Sequence, residues 1–351
     1  MNYWKFSFPS LGLLLLLGCS EPKATGSDWV RLDMTQSQSL NWNSVSEGVS
    51  RLPLQTGDAP FIDTCHKVLK YKGQYYLLAQ IAGGFYHIYI YDEAGALVNQ
   101  ISFDDSFFAV NLMEIEPESE ELVVVGLGRF ELRYDLEGNL KAQKKLDYPC
   151  AALCYIDATR ELVCDGNMDK TSPFSLTLRD NEKPVKHFLQ KAKGKQNQYT
   201  TWDMFAPNLS AHSIYVMERR NDTIYHYNTQ TDEMRPLYHL DFHGDFLTKQ
   251  DVPENGWTDE EMDEIITQRK YITGTSSFYL VNEKLFFKLS GKREDFCMID
   301  LKTNEFYSVA SLPEDISATA YRPIVGSDGE YLYAFAKDHG KSFLLKIKMK
   351  G

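Results

Sequence analysis

His87-Ile-Tyr-Ile-Tyr-Asp-Glu-Ala-Gly-Ala-Leu-Val98 and Phe130-Glu-Leu-Arg-Tyr-Asp-Leu-Glu-Gly-Asn-Leu-Lys141 are two copies of one pattern, 43 residues apart when Asp92 is laid on Asp135. Each joins an aromatic or apolar run to a second run through Asp-x-x-Gly. Aromatic and branched side chains suit a pleated surface. An Asp carboxylate can accept from the N–H groups of a tight turn, and Gly takes the left-handed backbone that such a turn requires. Both stretches therefore read as strand–turn–strand hairpins rather than helices.

Outward from these hairpins the same unit recurs. The first copy opens with strand-like runs at 67–71 and 75–81 around Lys72-Gly73, and the second with 110–115 and 122–127 around the turn 117–120. Weaker copies follow at 151–156, 162–164 and 174–178, then at 213–217 and 223–227. The fifth is 277–281, 285–289 and 295–299, and the sixth 320–325, 331–336 and 343–348. Six units of about four strands, repeating every 43 to about 48 residues, are the signature of a radial array of small sheets. The fold expected is all-β, a six-bladed β-propeller, with a sandwich as the alternative.

The Asn228-to-Asp300 spacing is 72 residues, so the unit is interrupted there, over about 242–273. Thr258 followed by Glu261 forms a capping box. Met262, Ile265, Ile266 and Arg269 share one helical face, and Arg269 and Lys270 suit the negative end, so a short helical insertion between blades 4 and 5 is expected. Residues 29–34 and 48–54 precede the first unit and are strand-like. The last unit has only three clear strands, so one of these two runs is expected to supply its fourth and close the ring.

The first 18 residues carry one cation, Lys5, then the apolar run 11–17, with Gly18 directly before Cys19. That run is too short to span a bilayer, which takes about 20 apolar residues. It reads as a signal peptide over 1–18, a polar tether over 19–28 holding Pro22 and Gly26, and a folded domain over 29–351. With 49 acidic against 37 basic residues the net charge is −12, and removal of Lys5 makes it more negative, which excludes attraction to nucleic acid phosphates. The densest basic run, 183–195, is broken by Pro184 and Gly194 and reads as a solvated loop.

Leu16-Leu17-Gly18-Cys19 resembles the lipobox of bacterial lipoproteins. The stretch 52–101, with Leu-Pro-Leu-Gln-Thr and Ile88-Tyr-Ile-Tyr-Asp92, and Asn221-Asp-Thr-Ile-Tyr225 followed by Tyr238-His-Leu-Asp241, resemble the six-bladed β-propeller lipoproteins of Bacteroidetes. The resemblance implies a lipid on the Cys19 thiol, palmitate among its acyl chains, and a place in the cell envelope, at the outer membrane, anchored through the N-terminal lipid. It specifies fold rather than chemistry. One departure is the loop 102–109, which lacks the Gly- and Pro-rich sequence that ends the first blade in many relatives.

No nucleophile elbow or metalloprotease motif is present. Cys150, Cys154 and Cys164 have no neighbouring His to complete a zinc shell, and the run from Asp165 to Asp169 lacks the Gly and the distal Glu of a calcium loop, so neither cofactor nor metal is expected. A hairpin centred on Thr159 would set Cys154 opposite Cys164, in reach of a disulfide, with two buried thiols as the alternative. His66 falls where an inner strand begins near the central channel. Trp202, Trp257 and the loop 205–208 offer aromatic contact area for a ligand. The function expected is a binding module for a glycan, peptide or protein, without turnover. The alternative is a propeller hydrolase or lyase with a site at the central channel.

Overall fold

The computed structural model describes residues 29–103, 110–127, 129–191, 203–248, 251, 253, 257–311 and 324–351. The chain begins with β1 (Val30–Asp33), β2 (Gln38–Asn41), the single turn α1 (Trp42–Val45) and β3 (Ser46–Leu54). Blade 1 is β4 (Ile62–Tyr71), β5 (Gln74–Ile81), β6 (Tyr86–Tyr91) and β7 (Leu97–Ser102). Blade 2 is β8 (Val110–Glu116), β9 (Glu121–Gly126), β10 (Phe130–Tyr134) and β11 (Leu140–Lys145). Blade 3 is β12 (Ala152–Tyr155), β13 (Arg160–Cys164), β14 (Phe174–Asp180) and β15 (Lys183–Gln190).

Blade 4 is β16 (Phe205–Asn208), β17 (Ser213–Val216), β18 (Thr223–Asn228) and β19 (Glu233–Asp241). After it comes helix α2 (Asp259–Gln268), in which Thr258 Oγ1 accepts from the Glu261 N–H and the Glu261 carboxylate accepts from the Thr258 N–H. Blade 5 is β20 (Ile272–Val281), β21 (Lys284–Gly291), β22 (Phe296–Asp300) and β23 (Glu305–Ser311). Blade 6 is β24 (Gly326–Ser327), β25 (Tyr331–Asp338) and β26 (Lys341–Met349), with β3 from the other end of the chain as its outer strand. The molecule is a six-bladed β-propeller.

Turn chemistry explains the repeat. Asp92 Oδ1 accepts from the N–H groups of Ala94 and Ala96, Asp135 Oδ1 from Asn139, Asn228 Oδ1 from Gln230 and Thr231, and Asp300 Oδ1 from Lys302 and Thr303. Each side chain saturates donors that the reversing backbone would leave open. At Gly95 the backbone is left-handed, and a methyl group would overlap the Pro53 carbonyl oxygen, so the position tolerates only Gly.

The N-terminal segment wraps the rim. β1 adds in parallel to β19, β2 in parallel to β23, and β3 pairs antiparallel with β26 from Leu54–Ser342 to Ser46–Met349. Of the two N-terminal runs, 48–54 closes the ring, while the run at 29–34 lies on blade 4.

Six apolar clusters fill the six gaps between neighbouring blades. They account for the continuous apolar runs of the middle strands, which are buried on both faces, each fully buried large side chain stabilising the fold by about 1.5–3 kcal/mol. Residues 183–190, read from sequence as loop, form β15 instead. An outermost strand pairs along one edge and is solvated on both faces, so β15, like β11, carries no apolar alternation.

Candidate functional site

The six first strands of the blades surround the central channel, and within it lies a cavity of ≈ 380 Å³. Most of its wall is apolar, with Leu69, Ile115, Leu153, Phe205 and Leu280 among the lining residues. Into it project Lys67 from blade 1, Glu114 from blade 2, Asp203 just before blade 4 and Tyr279 from blade 5. The Lys67 ammonium bonds the Glu114 carboxylate and lies 3.8 Å from Asp203 Oδ1, while the Tyr279 hydroxyl donates to Asp203 Oδ2 at 2.8 Å. The side chains of Lys67 and Asp203 are only 7% and 3% exposed, whereas that of Glu114 is 25% exposed and forms the open end of the cluster.

Local irregularities aim these groups. The pairing of β4 with β5 shifts between Cys65 and Lys67, leaving His66 as the extra residue of a bulge. A bulge turns the strand, so Lys67 faces the channel while His66 leaves it to hydrogen-bond Gln80 Oε1 at 3.0 Å and pack beside the Tyr86 ring. In blade 5 the register shifts between Ser276 and Tyr279, with Ser277 at φ 55°. That irregularity immediately precedes the tyrosine that reaches Asp203.

The electrostatics follow from burial. Desolvation raises the Glu114 carboxyl above its ordinary range, an effect that Lys67 only partly offsets and that Asp203 reinforces. The Cys154 thiol, also on the cavity wall, is pushed up by burial and is a poor nucleophile. Among the described residues the Lys67 ammonium lies against the carboxylates of both Glu114 and Asp203. At the far end of the cavity Asp328 is balanced by Lys70 Nζ at 3.2 Å.

Cys65, Cys150, Cys154, Cys164 and Cys297 are all buried, and no disulfide joins any two of them. The expected facing of Cys154 and Cys164 is corrected by the register. Ala152 pairs with Cys164 and Cys154 with Leu162, so the hairpin is centred on Ala158, one residue earlier than expected, and the two cysteines stand diagonally.

Residues 205–208, read as a loop, form the inner strand β16, and Phe205 and Pro207 line the cavity. Trp257 lies away from the channel. It borders a second cavity of ≈ 630 Å³ beside blade 4 with Asp222, His239, Asp241 and Tyr271, and the Arg220 guanidinium sits 5.0 Å from its ring centre. His226 hydrogen-bonds Ser213 Oγ, and His243 meets Asp33 at 3.1 Å, so the histidines of blade 4 do not converge on one centre. In the 165–169 loop the Lys191 ammonium lies against the Asp165 carboxylate. Trp202 and Cys19 lie outside the described residues.

Lys67, Glu114, Asp203 and Tyr279 carried no signal in the sequence. They are far apart in the chain and belong to no motif, and their order became visible only once the ring placed the inner strands around one axis.

The family model described as "Domain of unknown function (DUF4934)" matches residues 29–344. No curated protein matches the chain. Among solved structures, a Bacteroides fragilis NCTC 9343 protein whose export is inferred superposes with a TM-score of 0.66 at 15% identity, over 92% of this chain and 99% of that one. The WD40 domain of Pan2 from Neurospora crassa aligns at 9% identity over 80% of this chain and 74% of that one, with a TM-score of 0.41. The likeness to the Bacteroides protein is one of fold, and the chain itself belongs to the DUF4934 family.

Proposed function

We propose that this protein is a binding module of the bacterial cell envelope that receives a cationic peptide group in its central channel, without turnover. The observation that carries the reading is the convergence of Lys67, Glu114 and Tyr279, from three blades, with Asp203 from the segment leading into a fourth, on one largely apolar cavity. The Glu114 carboxylate, partly exposed at the edge of the cluster, suits an ammonium or guanidinium head. The apolar wall suits the aliphatic stem that carries such a head, and the volume falls in the range of small-ligand sites, about 300–1,000 Å³. Absence of turnover is supported by the state of the groups. Lys67 is engaged by two carboxylates, and burial holds Cys154 as a thiol.

Anchoring of this module through a lipid on Cys19 rests on the leader sequence. Labelling with radioactive palmitate and loss of the label in Cys19→Ala test it.

Binding is tested by calorimetric titration with short peptides that carry Lys, Arg or norleucine at one position. Binding of the Lys and Arg peptides, lost on Glu114→Gln and weakened by salt, is the expected result. Equal binding of the norleucine peptide, or no binding of any, would refute the reading. The raised Glu114 carboxyl beside Asp203 also favours a second reading, hydrolysis or elimination with Glu114 as proton donor. Release of product from a peptide or glycan panel, abolished in Glu114→Gln, would establish it.

A further inference from the structure

The central cavity has a floor and a mouth, and chain direction tells them apart. Lys67, Glu114, Asp203 and Tyr279 are each the first residue of their segment to line it. From there the lining follows the inner strands towards the turns that end them, to Pro117 in blade 2, Leu209 in blade 4 and Gly329 in blade 6. Burial follows the same course. Lys67, Cys154, Met204 and Tyr279 are buried, whereas Pro117, Pro207, Leu209 and Gly329 are exposed. The charged cluster is therefore the floor, and the cavity opens on the face of the disc that carries the turns after the inner strands.

Three of the exposed residues at the mouth are apolar. Pro117 comes from blade 2, and Pro207 and Leu209 come from blade 4. A single exposed leucine is ordinary on a protein surface. Leu209, 37% exposed, instead belongs to the same cavity wall as Leu153 and Phe205. A single turn over Leu209–Ala211 fixes its backbone, the His212 N–H donating to the Leu209 carbonyl at 3.0 Å. The two prolines have no rotamer freedom to lose when a ligand covers them. Outside the floor cluster, Asp328 is the one charged lining residue among those described, and it already meets the Tyr333 hydroxyl and Lys70.

Depth decides what reaches each level. Glu114 and Pro117 are three residues apart, about 10 Å along an extended strand. One long cationic side chain, together with the hydrogen bond from its head to Glu114, spans that depth and leaves its own backbone at the mouth. The residue next to it in the peptide then lies against the rim rather than in the channel.

We infer that the ligand is a peptide in which the cationic residue stands beside an apolar one, and that Leu209, Pro207 and Pro117 form the subsite for that apolar neighbour. The inference rests on the reading of the channel as a site for a cationic peptide group. It adds which neighbour is selected and from which face the peptide approaches. A glycine neighbour would leave the apolar rim in water, whereas a leucine removes both its own side chain and the rim from water.

The experiment titrates the full chain calorimetrically with four end-blocked peptides, Gly-Lys-Gly, Gly-Lys-Leu, Leu-Lys-Gly and Gly-norleucine-Leu. At least one of the two peptides that pair Lys with Leu is expected to bind roughly fivefold to tenfold tighter than Gly-Lys-Gly. Leu209→Ser should bring that peptide down to the level of Gly-Lys-Gly, and Pro117→Ser, from the other blade, should reduce the preference as well. Both side chains are exposed, so the melting temperatures should match the parent's, and if one variant folds poorly the other decides. Val185→Ser alters an apolar side chain that is 57% exposed on the outer strand β15, and should keep the preference. Binding of Gly-Lys-Gly with no gain from leucine on either side, or a preference that survives both rim variants, overturns this inference and leaves the channel reading standing. Loss of binding by every Lys peptide defeats the channel reading and this inference with it. Gly-norleucine-Leu binding as tightly as Gly-Lys-Leu does the same, because capture would then need no charge.

Discussion

Asp328 shows how much one side chain can hold in place. Its Oδ1 accepts from the N–H groups of Glu330 and Tyr331, and its Oδ2 from the Tyr333 hydroxyl at 2.6 Å, while Lys70 of the next blade lies 3.2 Å away. Burial opposes its ionisation, but the Tyr333 hydroxyl, the two N–H groups and the Lys70 ammonium outweigh it and hold the pKa below the ordinary value. A depressed carboxylate contributes stability above its unfolded pKa, about 3.9, and loses it as pH falls through the folded value. Asp328→Asn should therefore lower stability at pH 7 by about 1.5–3 kcal/mol, with the gap to the parent closing as both are melted at successively lower pH below 4. Melting curves that stay parallel down to pH 2 would assign the loss to packing instead. The same scale shows what the sequence concealed. The alternation of β4 draws attention to His66, a residue type with chemical reach, yet a bulge turns its neighbour Lys67 into the channel. Nothing in the local composition records that a strand will take an extra residue at that point.

Elements were legible in proportion to how much of them is buried. β5, β9 and β21 read directly because both of their faces pack against neighbouring blades, and the Asp-x-x-Gly turns read because their chemistry is local. β15 was illegible for the opposite reason, being a solvated outer strand, and β11, equally solvated, was readable only through the Asp135 turn that precedes it. The N-terminal strands fall between. β3 completes blade 6, whereas β1 and β2 extend sheets that already have four strands, and β1 with the residue that follows it contributes Leu32 and Met34 to the gap between blades 4 and 5. The two roles predict two truncations. Deleting residues 29–41 should lower the melting temperature yet leave one cooperative transition, because the ring remains closed by β3. Deleting residues 29–54 removes the outer strand of blade 6, exposes β26 and should abolish the cooperative melt. Calorimetry distinguishes them, and two transitions of equal sharpness would show that β3 is not the closure.

At the scale of the whole ring, stability is distributed unevenly among six similar gaps. The gap between blades 4 and 5 is filled by Phe242, Phe246, Phe278 and Phe287 together with residues of the rim strand β1, whereas between blades 2 and 3 the apolar cluster is the smallest and paired charges take over. Charged pairs that are partly hydrated contribute far less than the apolar side chains they replace, since their mutual attraction is offset by lost hydration. Closed rings open where the contact between neighbours is weakest, and regions with few buried apolar contacts exchange their amides through smaller openings. Blades 2 and 3 should therefore be the first to exchange in hydrogen–deuterium mass spectrometry at neutral pH, ahead of blade 6, despite the chain terminus there. The middle strands are the ones to compare, β9 and β13 against β21 and β25, because outer strands exchange quickly in any blade. If β25 leads, the closure by β3 is the weak seam and the apolar count does not govern opening. If β9 and β13 lead, the gap with the fewest buried apolar side chains is the seam at which the ring opens.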